Sequence, residues 1–394
     1  MLSRLSAGYY LLTALTALAT SYYLNYLFFL LTAQFGFGDR QNLAVAALHG
    51  FVYIFAAVRC GRFAERRGYH TSLRVGLIGV LTCLVTGFFI RHAIGQVVLV
   101  VAYTSLLLFI WPALEALVTE HQPVTRIPHL VGLYNCTWSA ATAVAYFAGG
   151  TVFERLGASS VFYVPATIFV ALLVLERWLA RVAAALPLDG ASHAPDVTRH
   201  SEWEAAGRSA SPATFLRLAW LANPFSYIAI YTLFAVMPGV ASRLGLTPAE
   251  AGLFGSVWLI CRFAAFVWLW NWVAWHYRFR WLLAAFVLLT LSFVSIMLAT
   301  TLWVLVIVQV GFGLAVGLIY YSSLFYSMDV GDAKGEHGGI HEAAIGIGIC
   351  GGPAVGAASL QFFPSFPHAA AVAVSGLLLV GLSVLIVVWR QRPT

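Results

Sequence analysis

The sequence predicts an all-α integral membrane protein, with twelve transmembrane helices in two pseudo-symmetric six-helix bundles, and three observations carry that expectation. Hydrophobic residues make up 61% of the 394-residue chain and charged residues only 9%, against about 25% charged in a soluble domain. Apolar runs long enough to cross a bilayer recur along the whole length. The longest polar stretch divides those runs six and six.

The first run, 7–34, outlasts the apolar region of a signal peptide, so it reads as an uncleaved span. Five more follow at 42–60, 72–92, 96–119, 129–153 and 159–181. The polar stretch from Leu186 to Ser211 carries Asp189, His193, Asp196, His200, Glu202 and Arg208 and reads as a linker. The second set lies at 214–240, 249–273, 280–299, 301–327, 339–361 and 368–389. The expected division is therefore a bundle over 1–185, a cytoplasmic linker over 186–213 and a second bundle over 214–394. A faint repeat relates the halves, because Phe35-Gly36-Phe37 before the second span matches Leu244-Gly245-Leu246 before the eighth.

Charge sets the expected orientation. With the N-terminus inside, seventeen of the 22 basic residues fall on the cytoplasmic side, as the positive-inside rule requires. Both termini should then face the cytoplasm of a bacterial-type inner membrane. The net charge of +7 comes from these short clusters and not from a nucleic-acid-binding face. Cys60, Cys83, Cys136, Cys261 and Cys350 sit in or beside apolar runs without metal-ligand spacing. The single lysine, Lys334, has no phosphate-loop context. No cofactor, metal or nucleic acid is expected, and the chain is expected to work as a monomer in the bilayer.

Between the second and third spans the chain reads Gly61-Arg62-Phe63-Ala64-Glu65-Arg66-Arg67-Gly68-Tyr69-His70-Thr71. This resembles the signature loop of the major facilitator superfamily, in which Gly61, Glu65, Arg66 and Gly68 match, while His70 and Thr71 stand where the family usually has Arg or Lys. The Gly-rich eleventh span, Gly346 to Gly356, extends the likeness. The corresponding second-half loop, Trp272 to Arg280, lacks the motif. The resemblance implies a secondary transporter working by alternating access, with spans one, four, seven and ten lining the central path. It also implies that Gly61, Glu65, Arg66 and Gly68 gate the cytoplasmic side against the start of the eleventh span, where His341 and Glu342 lie. The same loop also reads as a solvated basic turn without a gating role.

Inside the spans, ionisable groups are costly and usually face protein or a wet cavity. Glu115 and Arg262 could bind a solute or relay a proton, or could form a packing or gate ion pair. His49 reads first as a hydrogen-bonded packing residue. Tyr22, Asn25 and Tyr26 share a helical spacing in the first span, as do Tyr227 and Tyr231 in the seventh. With Trp111, Asn135, Trp138, Gln309 and Tyr320 they could form an aromatic cavity for a sugar, nucleoside or amphiphile. Each could equally be an interface anchor. The expected function is transport of a small organic solute, with protons as a candidate coupling ion, and not enzymatic catalysis. The alternatives are a membrane-embedded enzyme, resting on the cluster from Asp329 to Glu342, or a non-transporting sensor or assembly factor on the same scaffold.

Overall fold

The computed structural model of the chain describes residues 2–120, 126–185, 210–330 and 334–392. Most of the expected linker, 186–213, lies outside them. The described residues form helices and no strand: α1 (Leu2–Phe35), α2 (Asp39–Arg67), α3 (Tyr69–Phe89), α4 (Ala93–Leu107), α5 (Trp111–Thr119), α6 (Ile127–Leu156) and α7 (Ser160–Ala184) in the first half. The second half holds α8 (Pro212–Arg243), α9 (Pro248–Gly255), α10 (Val257–Asn271), α11 (Phe279–Met297), α12 (Leu302–Val330), α13 (Lys334–Phe362) and α14 (Ala369–Arg390). Because α4–α5 and α9–α10 are each one rod with a short break, the helices make twelve rods. Eleven of these are long and apolar enough to cross a membrane.

Helices are the physical answer to a solvent without hydrogen-bond partners, since every backbone group is then satisfied within its own segment. The lipid-facing surface follows the same rule. Phe51, Phe55, Ile78, Val98, Val174 and Ile307 are all exposed, as suits helices whose outer surface meets hydrocarbon. In the fourth rod the break falls at Leu108–Ile110, and Pro112 follows in the first turn of α5, where its missing N–H leaves no bond unmade.

The faint repeat has a structural counterpart. Gly36 ends α1 at φ +67° and Gly245 follows α8 at φ +66°, both in the left-handed region that favours glycine. In each case the next residue folds back on its helix, Phe37 N–H to the Leu31 carbonyl and Leu246 N–H to the Ala241 carbonyl. The two halves therefore turn from their first rod into their second in the same way.

Two seams join the halves. At Gly50 on α2 any side chain would run into the backbone of Ile349 and Cys350 on α13, so glycine is what lets these helices touch. At Gly150 on α6 the obstacle is the backbone of Pro248 and Ala249, which places α9 directly against α6.

The two turns that correspond across the halves are built differently. Between α2 and α3 the turn is the single residue Gly68, at φ +90°, with Glu65, Arg66 and Arg67 exposed. His70 then starts a part-buried polar cluster. The Arg74 Nε lies 2.9 Å from both oxygens of Glu176, a residue 1% exposed, and His70 Nδ1 lies 3.1 Å from the same carboxylate. The other ring nitrogen, Nε2, lies 3.1 Å from the Tyr9 hydroxyl. His70 thus bridges Tyr9 of α1 and Glu176 of α7.

Between α10 and α11 aromatic packing replaces charge. Trp275 is buried with its indole N–H on the Leu269 carbonyl, His276 stacks on Phe325 at 4.0 Å, and the Tyr277 N–H donates to the Tyr326 hydroxyl. This turn packs its aromatic side chains against α12.

Candidate functional site

A cavity of about 190 Å³ lies between the halves, lined by side chains from eight rods. Thr20, Ser21 and Asn25 come from α1, His49 and Tyr53 from α2, and Trp111 and Glu115 from α5. Tyr134, Trp138 and Thr142 of α6 continue the wall, and Tyr227 and Tyr231 of α8, Arg262 of α10, Tyr320 of α12 and Glu342 of α13 complete it. The break before α5 sets Trp111 and Glu115 one turn apart at the start of a new helix, both on the cavity face.

Ring stacking holds most of this wall in place. His49 stacks on Tyr231 with ring centres 5.6 Å apart, Tyr231 on Tyr227 at 6.4 Å, and Trp138 meets Tyr320 edge-on at 5.6 Å. Such pairs fix orientation as well as burying area. His49 Nδ1 is bonded to the Thr104 hydroxyl at 2.7 Å, while its buried Nε2 has no protein partner.

Charge is distributed unevenly over this aromatic frame. Arg262 is 5% exposed and its guanidinium lies between two indoles, 4.8 Å from the Trp138 ring centre and 5.2 Å from that of Trp258. Ring faces attract the cation, yet Nε has no hydrogen-bond partner, and the guanidinium makes no ion pair with either cavity carboxylate. Glu342 accepts a 2.5 Å hydrogen bond from the Tyr53 hydroxyl. Glu115 and Glu342 lie within electrostatic reach of each other.

Of the residues singled out from sequence, Asn25, Trp111, Glu115, Trp138, Tyr227, Tyr231, Arg262 and Tyr320 line the cavity. Four stand behind it. Tyr22 bonds the Ser160 hydroxyl at 2.6 Å and Tyr26 the Tyr146 carbonyl at 2.6 Å, so both face α6 and α7 and only Asn25 turns inward. Asn135 accepts from the Trp138 indole N–H at 2.8 Å and so holds a cavity ring from behind. Gln309 donates to the Phe254 and Leu305 carbonyls, bracing the break between α9 and α10.

Glu342, expected at a gate, is a cavity residue. His341 lies outside the residues whose side chains are described. Glu65 and Arg66 are exposed, and Gly61 has open space around it. Sequence reasoning passed over Tyr53 and Tyr134; Tyr53 lies one turn after His49, and that spacing is the signal that could have found it.

At the end of the bundle where α1 meets α2, polar contacts tie the halves together. Arg243 lies 3.9 Å from Asp39, Arg40 donates to the Gln361 side chain at 2.6 Å, and the Ala249 N–H at the start of α9 donates to Glu154 at 3.1 Å.

Compared with known proteins, residues 9–222 match the sequence profile described as Major Facilitator Superfamily. No curated protein matches the sequence. Among solved structures the chain is similar to the nucleoside transporter NupG, with a TM-score of 0.71 at 12% identity, covering 98% of this chain and 100% of that one. A point variant of the same transporter gives a TM-score of 0.71 at 14% identity, covering 98% and 99%. At these identities the likeness is one of fold.

Proposed function

The chain belongs to the major facilitator superfamily, and on that premise we propose that this membrane transporter moves a small organic solute through the central cavity by alternating access, with protons as the coupling ion. The observation that carries the reading is the cavity itself, walled by both halves and lined from the first, fourth, seventh and tenth rods. Its volume of about 190 Å³ is below the roughly 300 Å³ at which drug-sized pockets begin, which favours a solute of one or two rings.

The contacts of Asp39 with Arg243, Arg40 with Gln361 and Glu154 with α9 are the bonds that would break when this end opens. Gly61, Glu65, Arg66, Gly68, His341 and Glu342 are proposed to serve the opposite gate, with Glu342 also facing the solute. Glu115 and Glu342 are the proposed proton carriers, because they are the two carboxylates that line the cavity and an ionisable group inside a span usually serves a solute or proton path. Symport, cytoplasmic termini, an inner-membrane location, a monomeric unit and the division at 186–213 complete the proposal.

Purified protein in proteoliposomes, offered sugars, nucleosides, amino acids and drug-like cations with and without an imposed proton gradient, tests the reading. Accumulation of one class, enhanced by an inward proton gradient, is the expected result. If folded, monodisperse protein moves none of them, the sensor or assembly-factor reading takes its place.

A further inference from the structure

We infer that the solute is zwitterionic, with an anionic group held by Arg262 and a cationic group held between Glu115 and Glu342, on a compact body packed against the rings between them. The inference rests on the transporter reading of the same cavity and narrows it to one chemical class.

The argument begins with charges that lack partners. Arg262 stays protonated in any protein environment, yet it is 5% exposed, its Nε is unbonded, its guanidinium lies over the rings of Trp138 and Trp258, and it forms no ion pair among the described residues. A buried cation is retained where something pairs with it. Glu342 has one neutral donor, the Tyr53 hydroxyl, and Glu115 has no cationic partner among the described residues. All three line one cavity of about 190 Å³.

Phenols line the same cavity as both poles. Tyr227 and Tyr231 lie within electrostatic reach of both Arg262 and Glu342, and Tyr320 lies within reach of Arg262 and of both carboxylates. A solute bearing one charge would leave the opposite pole unpaired. A neutral sugar or nucleoside would leave both unpaired. A zwitterion satisfies both at once, and when the two carboxylates share one proton the cavity and the solute are each neutral overall.

The test uses wild-type protein in nanodiscs and a matched series: L-phenylalanine as zwitterion, 3-phenylpropionate as anion, phenethylamine as cation and uridine as a neutral ring solute, with alanine as an aliphatic zwitterion. Binding is read from the fluorescence of the cavity tryptophans, and uptake is measured in proteoliposomes. At least one zwitterion is expected to bind and to be taken up, with the singly charged analogues of phenylalanine weaker by about 30-fold or more, the size expected when a buried charge loses its partner. Arg262→Gln should reduce phenylalanine to the level of phenethylamine, and Arg262→Lys should restore part of the difference, which guards against a variant that merely misfolds.

Uptake of uridine with neither zwitterion bound would overturn the zwitterion and leave the transporter standing. Equal affinity for phenylalanine and its singly charged analogues would overturn it as well. Absence of uptake across the full solute panel would instead remove the transporter reading on which it depends.

Discussion

The Tyr53 hydroxyl on α2 donates a 2.5 Å hydrogen bond to the Glu342 carboxylate on α13, so a phenol of one half holds an acid of the other at the wall of the central cavity. Any rocking of the halves changes this bond. Glu342→Gln and Glu115→Gln are each expected to abolish the stimulation of uptake by a proton gradient while leaving solute exchange at equal pH measurable. Uptake with and without the gradient checks this, and full stimulation in Glu115→Gln rules that carboxylate out as carrier.

The cluster of Tyr9, His70, Arg74 and Glu176 is read as structural. Arg74→Ala leaves a buried carboxylate with only His70, and because Arg74 is itself half exposed the cost should be about 2 kcal/mol, the low side for a broken buried pair. A fall of several degrees in Tm, measured in detergent, is expected. Arg74→Lys should recover part of it but not all, because a single ammonium cannot copy the planar guanidinium.

Two glycines of α2 separate packing from gating. Gly50→Leu drives a side chain into the backbone of α13 and should abolish monodisperse protein in size-exclusion chromatography. Gly61→Leu meets open space, so the variant should fold normally. If Gly61 belongs to a gate that closes in another conformation, the same variant loses transport; normal uptake by Gly61→Leu would assign it to a plain turn.

Burial pushes the His276 imidazole down to about 4 in its stack on Phe325. An unfolded histidine titrates near 6.5, so between those values the unfolded chain binds a proton that the folded chain refuses, and stability from this residue is lost as the pH is lowered through that window. The Tm should drop more steeply between pH 7 and pH 5 in wild type than in His276→Phe. Parallel curves would show that the imidazole is not shielded as described.

Architecture was legible in the sequence because a bilayer leaves few options. Length, hydropathy and the polar stretch after Leu186 yield twelve rods in two sets, and the pair Gly36 and Gly245 marks the repeat that both turns realise. Side-chain direction was less legible. Tyr22 and Tyr26 share a helical spacing with Asn25, but one residue is about 100° of rotation, enough to turn Asn25 into the cavity while the tyrosines bond α6 and α7. Gln309 and Asn135 are polar for a reason that spacing does not reveal, which is to satisfy backbone carbonyls and an indole N–H behind the wall. Glu176 passed unnoticed because its partners, His70 and Arg74, lie over a hundred positions away.

The most direct test asks whether the cavity is reached from both faces of the membrane. Asn25→Cys, in a background where Cys60, Cys83, Cys136, Cys261 and Cys350 are serine, places one thiol on the cavity wall in right-side-out and inverted vesicles. A membrane-impermeant thiol reagent should label it from either face, slower from the face tied by Asp39 and Arg243, with Asp39→Asn speeding that slower face severalfold. Labelling from one face alone, unchanged by Asp39→Asn, would contradict alternating access through this cavity.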